Sequence, residues 1–275
     1  MRQVLTLAAE EFQEGLRNRW VISSALLLAC LAFSLALLGT SPIGESRVSA
    51  LSVTTVSLAS LSVYLLPLIA LTLSYDSIVG ERERGTLLLL LTYPISRWQV
   101  ICGKFLGHFA IIAVAIVLGY GATGVYLAIS SSAGYDEWLL FTAMLGSSLL
   151  LGSAFIALGY LISVAAPSRA TAAGVAICTW LFMVVIYDLL LLGLVLSSAG
   201  ENVDSDLFSA LLLFNPADIY RLFNLAGSDA ASLVSGSLGT LESSFLSPGL
   251  LMAVLFLWVA APLLASIWIF KRHEL

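Results

Sequence analysis

Residues 48–97 read VSALSVTTVSLASLSVYLLPLIALTLSYDSIVGERERGTLLLLLTYPISR. The first 28 residues of this stretch, 48–75, contain no Asp, Glu, Lys or Arg. A hydrocarbon core about 30 Å thick is crossed by about 20 apolar helical residues, so this window predicts a membrane-spanning helix. The charged quartet at 81–84 ends the apolar run, which places the second half of the stretch outside the hydrocarbon.

Similar windows recur along the chain, at 20–44, 105–135, 138–168 and 243–270, and a sixth at 170–196 is interrupted only by Asp188. The chain is 60% hydrophobic and 11% charged, whereas a soluble domain has about 45–50% and about 25%. We therefore predict an all-α integral membrane protein that forms one domain over 1–275. The six predicted transmembrane helices are approximately 20–40, 52–76, 103–129, 139–164, 170–196 and 247–270.

The positive charges predict the direction of these spans, because Lys and Arg near span ends are retained on the cytoplasmic side. Ten of the twelve fall before the first span, between the second and third, between the fourth and fifth, or after the sixth. Only Arg47 and Arg221 fall on the other side. This asymmetry predicts a multi-pass membrane protein with both termini in the cytoplasm.

The first residues predict a helix that lies on the membrane surface. Apolar residues recur at helical spacing within 2–18, opposite Glu10, Glu14 and Arg17. Such a pattern is typical of an amphipathic interfacial helix. Because acidic residues interrupt this segment, it does not resemble a cleavable signal peptide.

The loop at 80–97 predicts a short helix set across the spans. Gly85 ends a preceding helix, Thr86 caps the next, and Pro94 stops it. The leucines between them form an apolar turn and a half that can seat in a groove of a cytoplasmic partner. The alternative is a solvated loop whose charges only set the topology.

Nucleotide binding by this chain itself is not indicated. Gly80 and Gly85 have the spacing of a phosphate-binding loop, but Thr86 and Leu87 stand where Lys and Ser or Thr are required. No strand is predicted before the loop. We therefore expect no cofactor on this chain and no enzyme activity, so any ATP chemistry would have to be supplied by another chain.

The same loop resembles that of the ABC-2 type permeases. That family carries a pattern close to Glu-Arg-Glu-x-Gly-Thr-Leu, followed by Pro, Ser-Arg and Gly-Lys. The surface helix, six spans and outer segment also resemble the ABC-2 (type V exporter-like) architecture. The matching residues are Glu81, Arg82, Glu83, Gly85, Thr86, Leu87, Pro94, Ser96, Arg97, Gly103 and Lys104.

The resemblance implies a homodimer of permeases with two copies of an ABC ATPase on the cytoplasmic face. It also implies which residues contact that ATPase, namely the loop at 80–97 and the short loop around Arg169. The residues predicted to couple to the ATPase are Glu81, Arg82, Glu83, Arg84, Gly85, Thr86, Leu87, Leu89, Pro94, Arg97 and Arg169.

Within the family, the chain resembles permeases that serve assembly of the copper centre of nitrous oxide reductase. That narrower resemblance implies a periplasmic partner and export of a sulfur-containing species, or motion passed to the partner without transport. Export of another substrate is the alternative. Direct handling of copper is not indicated, because His108 stands alone and the methionines are scattered.

Residues 198–247 are too polar for another span and are predicted to form a folded periplasmic segment. Asn215 and Pro216 mark a helix start, since Asn caps and Pro suits the first turn. This segment is either a docking surface for the periplasmic partner, a gate or a structured connector. The residues assigned to docking are Asn215, Pro216, Asp218, Tyr220 and Arg221.

Asp188 is the only acid well inside a predicted span, where a charge is expensive and often functional. It either lines a pathway or lies among head groups at the membrane boundary. A self-contained secondary transporter would usually show several such groups or a repeat, and an intramembrane hydrolase would need a paired nucleophile and base. The sequence shows neither, so both classes are less favoured than the ATP-driven permease, and no metal site is predicted.

Overall fold

The computed structural model describes residues 2–39, 49–130, 133–197, 205–226 and 247–272, and every regular element in these ranges is a helix. The predicted all-α class is therefore confirmed. A five-residue π-helical segment, Phe182–Ile186, joins two of the helices. The α-helices are α1 (Arg2–Arg17), α2 (Arg19–Gly39), α3 (Ala50–Ser74), α4 (Val79–Arg84), α5 (Thr86–Thr92), α6 (Arg97–Ser130), α7 (Tyr135–Ala165), α8 (Arg169–Leu181), α9 (Tyr187–Ser197), α10 (Ser205–Leu213), α11 (Pro216–Ala226) and α12 (Pro248–Arg272).

Five helical stretches of the described ranges are long and apolar enough to cross a membrane. Helix α2 carries a further apolar run, Leu26–Leu37. The sixth span and the orientation stay predictions, and residues 40–48, 198–204 and 227–246 of the predicted loops lie outside the described ranges. The five stretches are Ala50–Arg84, Arg97–Ser130, Tyr135–Ala165, Arg169–Leu194 and Pro248–Arg272.

Helix α7 forms the centre of the molecule and packs against α3, α6, α11 and α12. Its side chains from Leu151 to Ala157 are all buried, on every face of the helix. A helix that is apolar all round is stable only inside a larger apolar environment, which here its neighbours provide. Small residues allow the close approach, since a methyl group on Gly159 would overlap the hydroxyl of Ser74.

Helices α1 and α6 run side by side in the same direction. A methyl group on Gly103 would lie 2.7 Å from Cβ of Leu7, and one on Gly107 would lie 2.6 Å from Cβ of Glu11. Both contacts are far inside van der Waals distance, so only glycine permits this approach. The contact residues are four apart on each helix, so the same close contact repeats after about one turn. This repeated contact holds Glu11 against the first turns of α6.

The helix ends form two polar clusters at opposite ends of the bundle. The end of α3, the starts of α6 and α8 and the end of α7 meet at what we call the Lys104 end. The π-helical segment, α9 and α11 meet at what we call the Arg221 end. The predicted orientation makes the Lys104 end cytoplasmic and the Arg221 end periplasmic.

Candidate functional site

The predicted coupling region folds as two short helices at the Lys104 end. Helix α4 begins where the backbone N–H groups of Ile78 and Val79 donate to Oγ of Ser163, at 3.0 and 3.1 Å. It ends at Gly85, whose φ of 74° lies in the left-handed region. Glycine adopts this conformation without the steric cost of a side chain. The sharp turn sets α5 at a new angle to α4.

The prediction that Thr86 caps α5 is wrong. Gly85 occupies the N-cap position, and Thr86 is the first helical residue. The Thr86 hydroxyl instead donates to the carbonyl oxygen of Glu81, at 3.3 Å. The same bond joins the two short helices across the turn, so Thr86 still contributes to the geometry of the region.

The leucines of α5 separate into two faces. Leu87 is fully buried in the core of the bundle. Leu88 is 57% exposed and Leu89 is 66% exposed, on the side away from the core. Tyr93, directly after α5, is 65% exposed. Leu87 therefore anchors α5 to the bundle, and Leu88, Leu89 and Tyr93 form its free apolar surface.

Two arginines of the region bind backbone and carboxylate groups near the start of α8. Arg82 donates from Nη2 to the carbonyl oxygen of Ala166. Arg169 makes two bonds of 2.6 Å to the carboxylate of Asp76. The backbone N–H of Arg169 also donates to Oε1 of Glu83, at 2.8 Å. The short loop before α8 and the first residue of α8 are thus joined to α4 and to the segment that precedes α4.

A chain of buried polar groups extends from α4 towards the core. Nζ of Lys104 lies 2.9 Å from Oε1 of Glu81 and 2.5 Å from Oε2 of Glu11. Nε2 of His108 lies 3.0 Å from Oε1 of Glu11, and Nδ1 of His108 lies 2.7 Å from the hydroxyl of Tyr160. These groups link α1, α4, α6 and α7 at one point.

The charges within this series of buried polar groups compensate one another. Burial by itself would raise the pKa of Glu11, but hydrogen bonds and charges from His108 and Lys104 hold it at about 2. Glu11 is therefore ionised at physiological pH and pairs with the ammonium of Lys104. Removing one member of such a buried group is more costly than the group is stabilising, because it leaves an unpaired charge.

Pro94 and Arg97 join the region to the two ends of the described chain. The carbonyl oxygen of Pro94 accepts a bond of 2.8 Å from Nε2 of Gln3, near the start of α1. Nη1 of Arg97 donates to the carbonyl oxygens of Phe270 and Lys271, at 2.8 and 3.2 Å. Arg97 thereby satisfies the last carbonyl groups of α12, which have no partner within their own helix.

At the Arg221 end, the structure brings together Asp188 and the polar residues of α11. Arg221 lies 2.8 Å from Oδ2 of Asp188 and 3.1 Å from Oδ1 of Asp218. One cation therefore serves two carboxylates, one of which, Asp218, is buried. Asp188 is partly exposed at 29%, so it stands at the edge of this cluster with its charge paired.

Asn215 joins α11 to the π-helical segment. Its Nδ2 donates to the carbonyl oxygen of Met183 at 2.6 Å, and its Oδ1 accepts from the backbone N–H of Ala217 at 3.1 Å. A π-helical turn changes the backbone bonding of an α-helix, and here one carbonyl of the turn receives a side chain from α11. Asn215 thus acts both as a cap and as a link.

Four of the five residues assigned to periplasmic docking are buried within the chain. Tyr220, for example, shares a hydrogen bond of 2.9 Å with Ser148 of α7. Only Arg221 is partly exposed, and it pairs with the two aspartates. The observed contacts of these residues hold α11 in place. The four buried residues are Asn215, Pro216, Asp218 and Tyr220.

Comparison with known proteins identifies the family. A model of the family described as ABC-2 family transporter protein matches residues 5–275. The chain belongs to this ABC-2 family. It is 41% identical over 276 residues to the "Probable ABC transporter permease protein NosY" of Stutzerimonas stutzeri, which covers 99% of both chains. It is 42% identical over 278 residues to the protein of the same name from Pseudomonas aeruginosa, over the full length of both.

These findings confirm the ABC-2 resemblance inferred from the loop at 80–97. The chain is an ABC transporter permease similar to NosY, and with its several apolar helices it is a multi-pass membrane protein. No group of three His, Cys, Asp or Glu residues that could hold a metal ion occurs in the described ranges of this ABC-2 protein.

Sequence reasoning missed several residues that build the site of this ABC-2 permease. Neither Glu11 nor Asp76 was assigned a role from the sequence. Ser163, which binds the start of α4, carries no sequence signal because serines are frequent in the spans. The available signal was the pair Gly103 and Gly107, since glycines four residues apart permit a close helix contact.

Proposed function

We propose that this chain is the permease subunit of a transporter in which a separate ATPase, similar to NosF, binds the Lys104 end. The supporting observation is the free apolar surface of Leu88, Leu89 and Tyr93. In the proposed orientation this surface faces the cytoplasm, where water would oppose its exposure. A groove on an ATPase would cover it, in the helix-in-groove mode of recognition.

The contacts around α5 provide a route for movement. An ATPase that displaced α5 would act through Gly85 on α4, whose Glu81 is paired with Lys104. Lys104 in turn is paired with Glu11 of α1. The contacts of Arg169 with Asp76 and Glu83 extend the same connection to α8. In this proposal ATP binding therefore shifts several helices together, as is typical of rigid-body switching.

The complete assembly that we propose is a homodimer of this permease in the bacterial inner membrane, with both termini in the cytoplasm. Two NosF-like ATPases carry ATP and Mg²⁺, and a NosD-like protein lies on the periplasmic side. The similarity to NosY supports assembly of the copper centre of nitrous oxide reductase as the purpose. The transporter would export a sulfur-containing species or pass motion to the periplasmic partner.

At the periplasmic side, the partner would contact exposed residues near the buried docking set. Phe214 is 72% exposed and Leu207 is 55% exposed, both on the segment that includes α10. Asn215 and Asp218 would hold that segment in shape without touching the partner. In this proposal Asp188 acts through its pair with Arg221, which joins α9 to α11.

The coupling proposal predicts that Leu89→Asp abolishes binding of the ATPase without changing insertion or yield of the permease. The reason is that a charge on the free face of α5 opposes burial in an apolar groove. The measurement is co-purification of the ATPase in detergent, together with ATP hydrolysis by the complex. The matched control is Leu207→Asp, which places the same charge on an exposed leucine at the Arg221 end.

In the same assay, Leu87→Ala tests whether a loss of permease stability alone prevents binding of the ATPase. Because Leu87 is fully buried, this variant should lose about 2–5 kcal/mol of stability while the exposed face of α5 stays unchanged. Normal co-purification of the ATPase with Leu89→Asp would contradict the coupling proposal.

A further inference from the structure

A half-open cavity of about 560 Å³ lies at the Lys104 end, between α1, the last turn of α3, α4 and the start of α6. Its size is within the range of about 300–1,000 Å³ that is typical of small-molecule sites. Unlike such sites, it is lined mainly by polar and charged side chains. Its lining includes Glu14, Thr72, Leu73, Glu81, Arg84 and Lys104.

Most charges that line the cavity are already paired. Lys104 is bound to Glu11 and to Oε1 of Glu81, and Asp76 is bound to Arg169. Three charged groups on its walls are left with bonding capacity, and one of them is Glu14, which is exposed and makes no ion pair within the described ranges. Oε2 of Glu81 is buried and has no hydrogen-bond partner. Within the described ranges, the guanidinium of Arg84 makes no ion pair with another residue.

Oε2 of Glu81 and the guanidinium of Arg84 are together complementary to a ligand that carries both charges. A buried carboxylate oxygen without a partner is costly, and a donor cation would satisfy it. An unpaired guanidinium is well suited to a phosphate, because its N–H groups match phosphate oxygens. Ammonium and phosphate occur together, two carbons apart, in the phosphoethanolamine head group.

The position of the cavity favours a lipid as the source of this head group. Thr72 and Leu73 line it from the last turn of α3, where that span leaves the membrane. Gly15 and Asn18 line the opposite wall, and the neighbouring Leu16 and Ile22 are exposed apolar residues. Acyl chains could follow this apolar edge while the head group occupies the charged cavity.

We propose that this cavity binds the head group of phosphatidylethanolamine, with its ammonium donating to Oε2 of Glu81 and its phosphate against Arg84. Glu81 and Arg84 are also among the residues predicted to couple to the ATPase, but binding of the head group requires only groups of this chain and can be tested without the ATPase. The proposal gives a lipid-dependent role to a region whose other contacts are between groups of the protein. Three donor hydrogens on the ammonium distinguish this lipid from phosphatidylcholine, whose quaternary nitrogen has none.

The test is native mass spectrometry of the purified full-length chain after exchange into equal amounts of phosphatidylethanolamine, phosphatidylcholine and phosphatidylglycerol with identical acyl chains. We expect the wild type to retain phosphatidylethanolamine selectively. Arg84→Ala should reduce that retained fraction about tenfold, the effect of losing one charge-assisted contact. Arg84→Lys should restore most of it. Arg2→Ala, an exposed arginine outside the cavity, is the matched control and should behave as wild type.

Three results would overturn the assignment. The first is equal retention of the three lipids by the wild type, and the second is unchanged retention in Arg84→Ala. The third is binding of soluble phosphoethanolamine without selective retention of the lipid, which would make the ligand a free metabolite. Because the assay contains no ATPase, failure of the coupling proposal would leave its outcome unchanged.

Discussion

At the scale of single residues, neighbouring groups decide which buried carboxylates keep their charge. Glu11 faces a lysine and a histidine, and its pKa is held at about 2. For Asp218, burial is the largest cause that raises its pKa to about 7, and Asp188 adds to the effect while Arg221 opposes it. Glu11 therefore stays ionised at physiological pH, whereas Asp218 takes up a proton near neutrality.

This difference predicts a pH dependence of stability at the Arg221 end. The native pKa of Asp218 lies above its ordinary value of 3.8, so the folded protein retains a proton that the unfolded chain releases. Stability contributed by this group is present below about pH 4 and is lost as the pH rises towards about 7. Asp218→Asn should remove that loss, so that from about pH 5 to about pH 8 the Tm of the wild type falls more than that of the variant.

The measurement is thermal unfolding in detergent across that pH range. We expect a difference of about 5–10 °C, because a native pKa of about 7 implies a loss of about 2–3 kcal/mol between about pH 5 and about pH 8. Asp136→Asn is the control, because Asp136 is exposed at the start of α7. Parallel Tm curves for wild type and Asp218→Asn would contradict the assigned pKa.

At the scale of elements, the α4–α5 pair depends on one backbone conformation. Gly85 is the described glycine with a positive φ, and it turns the chain between two helices of six and seven residues. Helices this short are unstable in isolation, so their stability comes from contacts such as the burial of Leu87. The turn and the anchor together determine which leucines face outward.

We predict that Gly85→Ala destabilises the protein by about 1 kcal/mol, the cost of a left-handed conformation for a residue with Cβ. No atom lies within 4 Å of the added methyl group, so the cost arises from the backbone alone. Gly85→Asn should cost less, because Asn tolerates this conformation better. Gly146→Ala is the matched control, since its methyl group also meets nothing within 4 Å but the residue is helical.

Thermal unfolding of the purified variants measures these effects. Gly146→Ala should be neutral or slightly stabilising, because alanine favours a helix over glycine by about 1 kcal/mol. Equal destabilisation by the two alanine variants would show that the turn at Gly85 is not the cause.

At the scale of the whole molecule, the two polar ends differ in the number and arrangement of their polar contacts. The Lys104 end carries an extended set of ion pairs beneath an exposed apolar helix. The Arg221 end carries a smaller cluster that holds α11 against the π-helical segment. Between them, α7 is enclosed by apolar neighbours. A change at one end would reach the other through these packed helices, provided that they move as rigid bodies.

The proposed orientation of the two ends predicts opposite labelling from the two sides of the membrane. Leu89→Cys should react with a membrane-impermeant maleimide only in inverted vesicles, and Phe214→Cys only from the periplasmic side. Both positions are strongly exposed, at 66% and 72%. The background would have Cys30, Cys102 and Cys178 replaced by serine and serves as the unlabelled control. Labelling of both positions from one side would contradict the orientation.

Sequence patterns were sufficient to establish the helical membrane class and the family, and they predict a coupling region at 80–97. Apolar windows longer than about 20 residues admit few structures other than spans, because the backbone must satisfy its own hydrogen bonds in lipid. The loop motif likewise lies within one contiguous segment. Such local patterns can be recognised in the sequence without knowing which helices are neighbours.

The contacts of each polar residue become apparent only in the folded protein. Glu11 and Lys104 are 93 residues apart in the chain, and Asp188 and Arg221 are joined only when α11 packs against the π-helical segment. The burial of Leu87 beside the exposed Leu89 likewise depends on the angle at Gly85. Pairing and burial depend on distances between helices, and those distances are set by packing of the whole chain rather than by local sequence pattern.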